Sequence, residues 1–155
     1  MGSFEHLRQQ HGELLHLAHE VAPLLTNERL ARDFTGARLK LSAFIRKLEV
    51  HVVLEDRLIY ELLLRHPDQV VAAKAAEHRE HVRSLRTQVT QYGRHWVSPG
   101  VIAEHALPQF LAETKSIFEL VSKRFELEDG ELYPLVDRIC SPYGTWPLEL
   151  AGGDR

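Results

Sequence analysis

Four stretches of this chain place apolar side chains every three to four residues, separated by short breakers. That period lets each stretch bury one stripe and solvate the rest, so the chain folds by packing four helical stripes against one another. The first runs from about Ser3, a suitable N-cap, to Leu25, with Leu7, His11, Leu14, Leu15, Ala18, Ala22 and Leu25 on one face. The second runs from about Asn27 to Arg65 and shares a face among Leu41, Phe44, Leu48, His51, Glu55, Leu58 and Leu62. It ends at His66-Pro67, because a residue before proline is pushed out of the α region. The third starts at Asp68, a good N-cap, and runs to Tyr92, with Val71, Ala75, His78, Val82, Leu85 and Val89 inward and Gly93 as its stop. RHWVSPG reads as a loop. The fourth stretch begins between Val101 and Pro108 and carries Phe110, Ile117, Leu120, Val121, Arg124, Glu128 and Leu135, with Gly130 and Pro134 expected to bend or interrupt its end. No stretch reads as a strand. The expected fold is all-α, an up-down-up-down four-helix bundle over residues 1–140, with a turn-rich tail at 141–155 packed over one end.

Composition narrows the function classes. A chain of 155 residues, 44% apolar and 26% charged, is one ordinary soluble domain with room for a core. A formal net charge of -3 gives no electrostatic footprint for nucleic acid or an anionic membrane. No apolar run approaches a membrane span, and the opening MGSFEHLRQQHGELL lacks a signal-peptide core, so a cytoplasmic location is expected. Cys140 is the single cysteine, which excludes an internal disulfide and a cysteine metal framework. Gly-rich phosphate loops, HExxH and a Ser-His-Asp signal are all missing, so no catalytic residue is assigned and enzymatic activity is left open.

Ten histidines are an unusual load for this length. More telling is where polar residues fall: His11, His51, Glu55, His78, Arg124 and Glu128 sit on the inner faces of the four stretches. Buried ionisable groups are costly unless paired or bound to metal. His51 and Glu55, at i and i+4, put an imidazole and a carboxylate on one helical face one turn apart. Facing helices use such pairs to build carboxylate-bridged dimetal sites. A lone HxxxE is a weak signal, more often a surface pair. Here it recurs: His51-VVLE-DRLIY-ELL is answered by Arg124-FELE-DGELY-PLV, matching Glu55 with Glu128, Asp56 with Asp129 and Tyr60 with Tyr133.

The order His11, His51xxxGlu55, His78, then Glu128-Asp-Gly-Glu-Leu-Tyr-Pro resembles the hemerythrin-like, HHE cation-binding family over about residues 3–139. The resemblance implies a four-helix bundle around a bridged non-haem di-iron centre. It implies His11, His51, Glu55, His78 and Glu128 as ligands, with the two glutamates bridging. It further implies binding, sensing or redox processing of a small ligand (dioxygen, nitric oxide or peroxide), or the handling of iron. One position departs from the family's pattern: Arg124 stands where a histidine is expected four residues before the second glutamate. Arginine stays protonated and is not a normal metal ligand, but its guanidinium can pair with Glu128 or Glu55. Either the site then holds one metal, or another residue fills the gap. His81 is the first candidate, its alternative being a flanking surface histidine, and Glu131 is a weaker one, expected to be solvated. A second function class follows from Arg124 as well: a degenerate bundle with one metal or none, serving as a sensory or protein-interaction module.

The other histidines take plainer readings. His6, His16 and His19 are expected to be exposed, His66 to end a helix, His95 to lie in a loop and His105 to precede the main part of the last helix. Tyr60 and Tyr133 are read as packing residues in preference to hydrogen-bond donors to the site. Leu48, Leu58, Leu62, Leu85, Ile117 and Val121 are the expected apolar wall.

Overall fold

A computed structural model describes residues 2–139, and side chains from Phe4 onward. Cys140 and the tail at 141–155 lie outside the described residues. The fold is the expected all-α bundle. Helix α1 (Gly2–Val21) is followed by a 3-10 turn (Ala22–Leu24) and the short α2 (Asn27–Arg32). Next come α3 (Phe34–Glu55), a π-turn (Asp56–Tyr60) and the one-turn α4 (Glu61–Leu63). Helix α5 (Gln69–Tyr92) runs on into a second π-turn (Gly93–Val97). A 3-10 turn (Glu104–Ala106) then leads to α6 (Leu107–Leu127), a third π-turn (Glu128–Leu132) and α7 (Tyr133–Ile139). Helix α1 packs on α3 and α6, and α5 on α3 and α6, which closes the four-membered ring.

Local chemistry sets several boundaries the apolar period does not reveal. The run expected to be continuous from Asn27 to Arg65 is broken at Asp33, where the backbone leaves the helical region (φ -148, ψ 83) and the carboxylate caps Gly36 N. Thr26 caps α2 in the same way, accepting from Arg29 N. Asp68 does cap α5, accepting from Val70 N. Gly93 does not stop that helix. It stays right-handed and buried, and the absent side chain lets Ile45 approach, since a Cβ there would lie 3.2 Å from Ile45 Cδ1. The first four residues of the stretch expected to be a loop, 94–97, therefore continue as helix, burying Trp96 and Val97, and the turn comes at residues 98–100.

The π-turns shift the register. One extra residue per turn rotates everything beyond it. After Glu55 the buried positions are Ile59, Tyr60 and Leu63, while the expected wall residues Leu58 and Leu62 are only half-buried. Leu48, Leu85, Ile117 and Val121 are buried as expected. Leu15 and Leu120, placed inward by periodicity, are exposed. Among the described residues no helix is long and apolar enough to cross a membrane.

Candidate metal centre

The α1, α3 and α6 faces bring four polar side chains to one depth. His11, His51, Glu55 and Glu128 are each no more than 2% exposed. Each offers a ligand atom within 4.8 Å of the others. The local fold explains the convergence. His51 and Glu55 occupy the last turn of α3, one turn apart, and the π-turn starts directly after Glu55. Glu128 opens the equivalent π-turn after α6. The sequence repeat is thus a structural repeat, a glutamate at an α-to-π junction with a buried tyrosine five residues on. Single π-turns within helices are rare and cluster at functional sites.

Hydrogen bonds outside the group fix which imidazole nitrogens face inward. His51 Nδ1 lies 2.7 Å from Gln10 Oε1, an acceptor, so Nδ1 carries the proton and Nε2 presents a lone pair. His11 Nδ1 lies 3.0 Å from Asp129 Oδ1, and the same logic bares its Nε2. The two bare Nε2 atoms are 3.0 Å apart. His51 Nε2 is 2.9 Å from Glu55 Oε2, and His11 Nε2 is 3.0 Å from Glu128 Oε1. Tyr133 donates to Glu55 Oε2 at 3.0 Å, and its hydroxyl oxygen lies 3.1 Å from His11 Nε2. Phe125 stacks on the His11 ring, centroids 3.9 Å apart, and holds it in place.

Proton affinities follow this packing. Burial, then the neighbouring His51, hold His11 below the usual histidine range, which favours the neutral ring. Burial pushes Glu128 well above the usual carboxylate range, and the charge of Glu55 adds to it. Burial also pushes Glu55 up, but His51, when its ring is protonated and donates from Nε2, and a hydrogen bond from Glu128 outweigh it and bring that carboxyl down to about 2. Tyr60 and Tyr133 are raised far by burial and then by the two carboxylates, so both phenols stay protonated.

Lone pairs of two imidazoles and two carboxylates meeting in a buried space repel unless a cation lies between them. Two neutral imidazoles with two carboxylates suit a first-row divalent ion such as iron, zinc or manganese. Gln10 and Asp129 supply the acceptors that metal-binding histidines use to hold their rings. The group therefore fits a metal ion.

The remaining sequence candidates fall elsewhere. His78 is buried, but its Nδ1 accepts from the Arg124 guanidinium and its Nε2 lies 3.3 Å from Glu131 Oε2. Burial and then the charge of Arg124 hold His78 below the usual histidine range. His81 is exposed on α5 and is not brought into the group, because its position three residues after His78 points it past the bundle interior. Glu131 is half-exposed and pairs with His78 and with Lys74 at 3.6 Å. His6, His16, His19, His95 and His105 are exposed. Tyr133, read from sequence as packing, is a hydrogen-bond donor to the site. Gln10 and Asp129 were not among the sequence candidates. Asp129 had a signal in the repeated Glu-Asp pair, whereas Gln10 beside His11 looks like any surface glutamine.

Comparison with known proteins returns no match among curated proteins and none among solved structures. The family model for the hemerythrin HHE cation binding domain does match, over residues 3–136. That span covers most of the chain and contains all four converging side chains, so this protein belongs to the hemerythrin HHE cation-binding family.

Proposed function

We propose that the chain is a non-haem iron protein whose buried centre binds, senses or redox-processes a small ligand such as nitric oxide, dioxygen or peroxide. The observation that carries this reading is the meeting of two bare Nε2 atoms, 3.0 Å apart, with two carboxylates. His11, His51, Glu55 and Glu128 would hold the ion. Iron there would supply an open coordination position and a redox couple. The chain's own residues set the selectivity. Gln10 and Asp129 orient the imidazoles, and Tyr133 holds one Glu55 oxygen. Phe125 packs against the His11 and His51 rings, and the burial of Phe125, Leu14, Leu48 and Val121 keeps bulk water from the group.

A second reading is favoured by one contact, the buried Arg124–Glu128 pair at 3.1 Å. In it, protons fill the group and the bundle serves as a metal-free sensory or interaction module. The two readings part on one titration. Protein loaded with ferrous iron without air and titrated with nitric oxide is expected to develop a new visible absorption band, absent from His51→Ala. Full iron loading with no spectral response to nitric oxide, dioxygen or peroxide would contradict the small-ligand reading.

A further inference from the structure

The polar layer continues past the four converging side chains, and there it is closed by its own charges. Arg124, 5% exposed, donates from Nε to Glu128 Oε2 at 3.1 Å and from a terminal nitrogen to His78 Nδ1. Accepting at Nδ1 makes His78 a neutral ring with its proton on Nε2, which lies 3.3 Å from Glu131 Oε2 without a hydrogen bond between them. Each contact uses up an atom that a second ion would need. A carboxylate bridging two ions must give one oxygen to each. Glu128 gives Oε1 to the His11 side and Oε2 to the guanidinium. His78 has no lone pair left.

We propose that this centre holds one metal ion, between His11, His51, Glu55 and Glu128, and that the Arg124 guanidinium is the fixed cation in the place of a second. This rests on the metal-binding reading above and sets its stoichiometry. Charge supports it. Glu55 and Glu128 together carry two negative charges, which one divalent ion neutralises. Arg124 and Lys74 then add two positive charges, offset by Asp129 beside His11 and by Glu131 beyond His78. A second divalent ion would add two more positive charges within a few ångströms of a guanidinium that cannot deprotonate. The span of the four ligand atoms points the same way. Metal bonds to nitrogen and oxygen of roughly 2.0–2.2 Å let one ion reach atoms about 4.4 Å apart. Small side-chain rotations close the remaining gap to 4.8 Å.

The test is the number of iron ions per chain after anaerobic loading with excess ferrous iron and removal of what is unbound. The wild type is expected to hold one. Arg124→Lys, which keeps the charge, should also hold one. Arg124→His, which frees His78 Nδ1 and Glu128 Oε2, should hold two. His78→Ala should leave the wild-type count at one. On oxidation the wild type should give the electron paramagnetic resonance of an isolated high-spin ferric ion. If Arg124→His fails to fold, the wild-type count, the resonance and the His78→Ala count still decide. Two ions in the wild type would overturn the proposal and leave the metal-binding reading standing. None at all would overturn both. A single ion in folded Arg124→His, or loss of the ion in His78→Ala, would show that Arg124 is not what occupies the second place.

Discussion

Glu55→Ala and His51→Ala are expected to reduce bound metal to background, while His16→Ala and His95→Ala retain the wild-type amount. The first two residues are 1% exposed and present their ligand atoms 2.9 Å apart at the centre of the group. The latter two are exposed, on α1 and in the π-turn after α5. Each truncation at the site removes one of four ligand atoms and leaves a cavity that the apolar wall cannot fill. Glu55→Ala costs more than a contact, since it also takes away the acceptor for Tyr133. Metal analysis of the four purified variants, with circular dichroism to show that each is folded, makes the comparison. Equal metal loss in all four would mean that the ion is bound elsewhere or non-specifically.

Chelating the metal should lower the melting temperature by about 5 to 11 °C. An ion that binds only the folded chain adds stability by mass action, roughly 2.7 kcal/mol at a hundredfold excess over its dissociation constant. For a chain of this size each kcal/mol moves the midpoint by about 2–4 °C. The physical source is the buried pair Glu55 and Glu128, which loses its counter-cation on chelation and must be satisfied by protons and Arg124 alone. Differential scanning calorimetry before and after chelation, and again after metal is restored, measures it. An unchanged midpoint would show that Arg124 and shared protons already balance the buried charge.

Much of this arrangement can be read from the sequence, for definable reasons. A helical period places His11, His51, Glu55 and Glu128 inward, because a side chain's face depends on its position modulo the turn. The repeated Leu-Glu-Asp and tyrosine spacing marks the two equivalent junctions. What the period hides is where it changes. A π-turn adds a residue without any composition signal, so Leu58 and Leu62 gave way to Ile59, Tyr60 and Leu63. Leu15 and Leu120 fall at the edge of their stripes, where a few degrees of helix rotation decide burial. Asp33 does carry a cap signal, but apolar residues recurring across the break mask it. Contacts made by long side chains are the least legible. The fate of His78 depends on the reach of Arg124 from a neighbouring helix, which no spacing within α5 encodes.

The most direct measurement is anomalous X-ray scattering at the iron edge from crystals of protein produced in iron-rich medium. The expected result is a single peak enclosed by His11 Nε2, His51 Nε2 and the Glu55 and Glu128 carboxylates, at bond distances of roughly 2.0–2.2 Å. Iron-replete crystals with no anomalous density among these four side chains would contradict the assignment of this group as the metal centre.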